Sequence, residues 1–241
     1  MLEIRTTSFD FAPTRGYGPQ TAEEDIVFPS DVATAVVGMT GYSVGFVGED
    51  HHLGRMVVGV QARVVGRTVG VAARLGLRDW SGDWDDEYGG SITAVVLAGL
   101  VFLEPPLPSG EGAIIDEQGA RSATGAEMAV HLPPHPDWDR MEVVHGSVGF
   151  APFSGSGPRS AASDVAFAQP VNLVAGLLTG VDVQFSASDG DHHLSYLEVR
   201  LNTARLDAQR ARVTASFGLR DASGWWDDRY EGTVSFSVVG E

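Results

Sequence analysis

The sequence predicts an all-β chain built from two tandem homologous antiparallel β-sandwich domains, Greek-key or jelly-roll-like, of about six strands each. Two observations predict it. Apolar and polar residues alternate with period 2 in short runs, the pattern of half-buried strands, and a set of loop residues occurs twice in the same order. Sustained helical periodicity is missing from both copies.

Taken in chain order, the repeat opens with Phe11-Ala12-Pro13, Gly16, Gly18-Pro19 and Phe28, which return as Phe150-Ala151-Pro152, Gly155, Gly157-Pro158 and Phe167. Glycine supplies positive φ and proline a fixed bend, so this reads as a turn-rich approach to the first core strand. A strand near Val32–Met39 follows. Thr40-Gly41 recurs as Thr179-Gly180, and Tyr42/Val44/Phe46 match Val181/Val183/Phe185 as the next alternating run. Asp50-His51-His52-Leu53 then returns as Asp191-His192-His193-Leu194. Beyond it, Met56/Val58/Val60 correspond to Leu197/Val199/Leu201, and Val71/Ala73/Leu75/Leu77 to Val213/Ala215/Phe217/Leu219. The longest shared motif is Arg-Asp-x-Ser-Gly-x-Trp-Asp-Asp-x-Tyr-x-Gly, at Arg78–Gly90 and Arg220–Gly232. Ile92/Ala94/Val96 and Val234/Phe236/Val238 close the copies. The spacing between equivalent residues drifts only from 139 to 142, and the drift falls between strands, where insertions are tolerated.

These boundaries give a first repeat over 1–102, a connector over 103–138 and a second repeat over 139–241. The connector holds six of the 12 prolines, clustered at its two ends, and proline stiffens such segments.

Composition narrows the function classes. With 43% hydrophobic residues in 241, the chain can bury a substantial core. No apolar run approaches the roughly 20 residues of a membrane-spanning helix, so membrane insertion is not expected. The formal net charge is −16 and, with no lysine, arginine carries all the positive charge; so acidic a chain argues against nucleic acid as a partner. The Arg-only, Ala/Gly/Val-rich usage is what a GC-rich bacterial genome produces. Cysteine is absent, excluding disulfides, thiolate metal sites and a cysteine nucleophile. The first residues lack a basic stretch followed by an apolar one, so the cytoplasm is the default location. A leaderless exported or phage-like particle is the other reading.

Two shared loops carry candidate chemistry. Four of the seven histidines lie in the Asp-His-His tripeptides, and imidazole with carboxylate suits zinc, manganese or iron. The candidate ligands there are Asp50 with His52 and Asp191 with His193. The tripeptide resembles the metal-binding motif of the DHH phosphoesterases over three residues only. The family's other acidic motifs are missing, and its chemistry is not carried over. In the Arg-Asp loops, Asp79, Asp85 and Asp86, and Asp221, Asp227 and Asp228, could surround a hard cation such as Ca2+ through oxygen. The structural reading is a Ser-Gly turn whose Asp residues accept backbone N–H bonds or pair with Arg78 and Arg220. Strand direction predicts that the two loops of one copy meet, with Asp50 and His52 beside Arg78 and Asp85, and Asp191 and His193 beside Arg220 and Asp227.

No nucleophile–base pair stands out. The expectation is a non-enzymatic structural subunit that self-associates into a larger oligomer, ring or fibre. The alternative is a lectin-like module for glycan or a cation, in which Trp80, Trp84, Trp225 and Trp226 serve as stacking or interface residues. A metal-dependent hydrolase is the least expected class.

Overall fold

The computed structural model describes residues 2–16, 18–47, 52–101, 141–154, 157–186 and 192–241. Asp50, His51, Asp191 and the connector expected over 103–138 lie outside them. The protein is all-β, and no helix occurs among the described residues. The first half contributes β1 (Leu2–Arg15), β2 (Gln20–Val27), β3 (Val32–Phe46), β4 (Leu53–Val65), β5 (Thr68–Asp79) and β6 (Glu87–Leu100). The second contributes β7 (Glu142–Ser154), β8 (Arg159–Ala166), β9 (Val174–Phe185), β10 (Leu194–Arg205), β11 (Arg210–Asp221) and β12 (Arg229–Gly240).

Every ladder is antiparallel, and the strands form three sheets. Two are three-stranded, in the orders β1-β6-β3 and β10-β11-β8. The third runs β2-β5-β4-β9-β12-β7 and takes three strands from each half.

Alternation puts one face of each strand inside. On β5, Val69, Val71, Ala73, Leu75 and Leu77 are buried; on β11, Ala211, Val213, Ala215, Phe217 and Leu219 are. Together with Ile92, Ala94 and Val96 of β6 and Val234, Phe236 and Val238 of β12, they belong to one continuous hydrophobic cluster. Each fully buried Val, Leu or Phe side chain contributes about 1.5–3 kcal/mol, so these rows dominate the stabilisation. Phe217 lies between Phe150 and Tyr230, with edge-to-face contacts at 5.3 and 5.2 Å.

Three details depart from the expected layout. The Phe-Ala-Pro motif sits within β1 and β7, not ahead of a core strand. Phe11 and Phe150 are core residues, while the register slips across the Ala-Pro step that follows each. Proline cannot donate to a ladder, so a bulge is the place for it. The stretch near Val32–Met39 and the Tyr42/Val44/Phe46 run form one strand, β3, whose register slips between Met39 and Gly41. And β2 is a strand although Gln20–Val27 shows no apolar alternation; it pairs with β5 along its whole length as an edge.

Gly-Pro and tyrosine lock the opening turn in each half. Gly18 and Gly157 adopt φ of 82° and 88°, which L side chains resist. Their carbonyls accept hydrogen bonds from the buried Tyr88 and Tyr230 hydroxyls at 2.6 and 2.9 Å. Next to this lock, a side chain on Gly76 would meet Pro19 and Trp84 at 2.9 Å, and one on Gly218 would meet Trp226 at 2.9 Å and Pro158 at 3.0 Å.

The halves are hydrogen-bonded where β4 pairs with β9, from Met56 opposite Val183 to Gly59 opposite Gly180, and β3 packs on β9 beside this ladder, with Gly38 against Leu177. The two glycines let the backbones approach: a Cβ on Gly59 would lie 3.3 Å from the Thr179 carbonyl oxygen. On the outer face, the Arg55 guanidinium grips the Asp182 carboxylate with two bonds of 2.8 and 2.6 Å. That hydrogen-bonded pairing raises the Arg55 pKa. A half-exposed pair of this kind adds about 0.2–1 kcal/mol, so the ladder and the apolar burial beneath it do most of the joining.

These contacts give a stability test. Gly76→Ala or Gly218→Ala should cost about 1–3 kcal/mol through overpacking against Trp and Pro, read as a lower urea midpoint at unchanged m. Gly149→Ala, where a Cβ meets nothing within 4 Å, should be neutral or slightly stabilising.

Candidate functional site

Each Arg-Asp loop is built from its own short-range bonds. The Asp79 carboxylate accepts the Ser81 amide at 2.8 Å and the Ser81 hydroxyl, while Ser81 Oγ accepts the Asp83 amide at 3.2 Å. Gly82 takes φ 91°, and its carbonyl accepts a bond from Arg78 at 3.3 Å. In the second loop Asp221 holds Ser223 through amide and hydroxyl at 2.9 and 2.5 Å, and Ser223 Oγ accepts the Trp225 amide at 3.1 Å. The expected Ser-Gly turn with an Asp acceptor is therefore present in both.

The loop aromatics divide in two. Trp84 and Trp226 are half-buried and pack on the core, with the Arg78 and Arg220 guanidiniums 5.9 and 5.4 Å from their rings. Trp226 also meets Tyr196 edge-on at 5.8 Å. Trp80 and Trp225 face solvent, at 38% and 72% exposure.

Carboxylates converge at both loops. Donor atoms of Asp79, Asp85 and Asp86 lie within 4.8 Å of one another, as do those of His192, Asp221 and Asp228. Nδ1 of His192 is 3.3 Å from Asp228 Oδ1 and 3.5 Å from Asp221 Oδ2. The Phe185 ring lies 4.8 Å from the imidazole, tilted 36° to it. The second half thus joins its Asp-His-His and Arg-Asp loops, as strand direction predicts, but through the first histidine of the pair. His193 instead meets His52 across the seam, with ring centroids 3.4 Å apart, and the Leu53 amide donates to the His192 carbonyl at 3.1 Å. Asp227 is exposed and outside the His192 cluster, whereas Asp85 belongs to the first-half cluster despite its exposure. Adjacent side chains on an extended segment point to opposite sides, which separates His192 from His193. That alternation is the one sequence signal that could have found His192.

Chemically, three carboxylates suit a hard cation, and two carboxylates with an imidazole suit zinc, manganese or iron. Asp79 and Asp221 also tie their own loops through Ser81 and Ser223, and His192 ties the Asp-His-His loop to the Arg-Asp loop. No protein-family model, curated protein or solved structure matches this chain.

Burial works against the charge of Asp221, but the Ser223 bonds and the neighbouring His192 outweigh it and hold the carboxyl below its ordinary value of 3.8. A depressed carboxylate stabilises the fold above the unfolded pKa and loses that contribution as pH falls through the folded value. Asp221→Asn should therefore melt below the parent protein at pH 7, with the gap closing below about pH 4. A gap independent of pH would show that the charge of Asp221 contributes nothing.

Proposed function

We propose that this protein is a non-enzymatic structural subunit: a duplicated β-sandwich of two homologous six-stranded domains that self-associates into a ring or fibre. Support for the duplication comes from register as well as sequence. Phe11 faces Gly90 and Thr14 faces Tyr88, with the slip between them; Phe150 faces Gly232 and Phe153 faces Tyr230, with the same slip. The slip beside Gly41 in the β3–β6 ladder has its counterpart beside Gly180 in the β9–β12 ladder.

The observation that carries the assembly reading is the one-sided seam. β4 of the first domain pairs with β9 of the second, and β9 corresponds to β3, not to β4. Two copies of a domain joined through different surfaces form a heterologous contact, and repetition of such a contact generates rings or filaments. A contact joining like surfaces would instead have consumed both partners.

Sedimentation tests this directly. The protein should form a discrete oligomer or a polymer at micromolar concentration, and association should strengthen as salt rises through about 0.1–0.5 M, where screening shortens the reach of the −16 charge. A strict monomer at every salt concentration would refute the reading, and glycan binding by that monomer would favour the lectin-like alternative.

A cation-binding role is the second reading, favoured by the convergence of donor atoms at both loops. In that case millimolar calcium, zinc or manganese raises the melting temperature, because a ligand that binds only the native state must stabilise it. An unchanged melting temperature leaves the clusters as clasps.

A further inference from the structure

Six strands end a sheet, and their edges differ. The β2 edge carries Glu23, Glu24 and Asp25, charges that blunt an edge against pairing. β3 and β10 are different. On β3, the inward residues Tyr42, Val44 and Phe46 pack on the core but are only half-buried; on β10, so are Leu197, Val199 and Leu201. Their counterparts at the seam are Val181, Val183 and Phe185 on β9 and Met56, Val58 and Val60 on β4, and all six are at most 3% exposed. The same positions are sealed at the seam and only half-buried on β3 and β10; the second half meets β3 at its other end, where a Cβ on Gly38 would lie 2.8 Å from Leu177.

We propose that β10 of one chain pairs antiparallel with β3 of a second copy, in the register of the β4–β9 seam. This rests on the assembly reading above and names its partner surface. Carrying the seam register over places Leu197 opposite Val44, Glu198 opposite Ser43, Val199 opposite Tyr42 and Arg200 opposite Gly41, from the observed pairs Met56–Val183, Val57–Asp182, Val58–Val181 and Gly59–Gly180. One residue further, Tyr196 comes opposite Gly45.

Side-chain size supports the pairing independently. The outer face of β10 presents three large residues, Tyr196, Glu198 and Arg200, and the facing positions of β3 are the small Gly45, Ser43 and Gly41. A Cβ on Gly41 or on Gly45 would meet nothing within 4 Å, so, apart from the register slip beside Gly41, no packing within their own chain gives a reason for glycine. A long side chain crossing from a neighbouring strand does, and an aromatic residue over a cross-strand glycine is a stabilising pair. Among inward residues, Leu197 with Val44 and Val199 with Tyr42 make apolar cross-strand pairs.

The chain has no cysteine, so crosslinking is free of background. Ser43→Cys and Glu198→Cys are made in separate, differently tagged chains, mixed and mildly oxidised, with Gly41→Cys and Arg200→Cys as a second pair on more exposed sites. Antiparallel partners lie about 4.5–5.5 Å apart at Cα, within disulfide reach. Melting curves show which variants are folded. Disulfide heterodimers in the mixtures, with neither variant linking to itself, are the expected result. An oligomer by sedimentation that gives no heterodimer with either folded pair, or Ser43→Cys chains that link to one another, would overturn the strand pairing while leaving assembly standing. A strict monomer would overturn both.

Discussion

The backbone ladder between β4 and β9 is the contact on which the arrangement of the two halves depends. A sheet edge exposes unpaired N–H and C=O groups, and a protein must pair, cover or charge them. Here four residue pairs do so, with Gly59 and Gly180 allowing close approach and Met56, Val58, Val181 and Val183 buried beneath. The Arg55–Asp182 pair lies on the outside of the same strands. One core cluster consequently spans both halves, and the loops that end β9 and begin β4 are drawn together, which is why His52 reaches His193.

Most of the loop residues that both halves keep turn out to hold the fold. Tyr88 and Tyr230 tether the Gly-Pro turns, Trp84 and Trp226 roof Gly76 and Gly218, and Asp79 and Asp221 organise the Ser-Gly turns. The remaining carboxylates and His192 complete clusters whose donor atoms suit either a cation or a network of loop bonds. Retention in both halves therefore reflects turn geometry and packing for most of the motif.

The all-β class and the buried rows were legible because alternation is a local property: the residue types on β5, β6, β11 and β12 alone declare which face is inside. The Asp-Ser-Gly turns were legible for the same reason. What escaped was set by tertiary contacts. β2 reads as polar because it is an edge with little to bury, and its strand character comes from pairing with β5. Choosing His192 over His193 required the direction of each side chain. The seam was hidden because its signs are modest: Val57, apolar on an outward position, and Gly59, small on the same face, are individually unremarkable. Only against Glu198 and Arg200, their counterparts on β10, do they mark an edge that is covered.

That difference between the two edges has a consequence for partner choice. In the register of the seam, β10 docking on a β9 edge would set Glu198 opposite Asp182, and like charges directly opposite are destabilising. β3 docking on a β4 edge would put Ser43 in the place of Asp182 and deprive Arg55 of its carboxylate. In the proposed assembly the matched combinations avoid both faults: Arg55 keeps Asp182 within the chain, and Glu198 would meet Ser43 between chains. Specificity is a difference between affinities, and a repulsion built into the wrong pair enforces it as effectively as an attraction in the right one. If the halves are separate domains, tethering them in one chain would add a kinetic bias, because tethered domains find each other at an effective concentration far above that of free chains. In the proposed assembly, a duplicated subunit with identical edges would be free to pair in either register or to exchange halves; the different outer faces of β4 and β10 would direct the seam inward and leave β3 and β10 to a second copy.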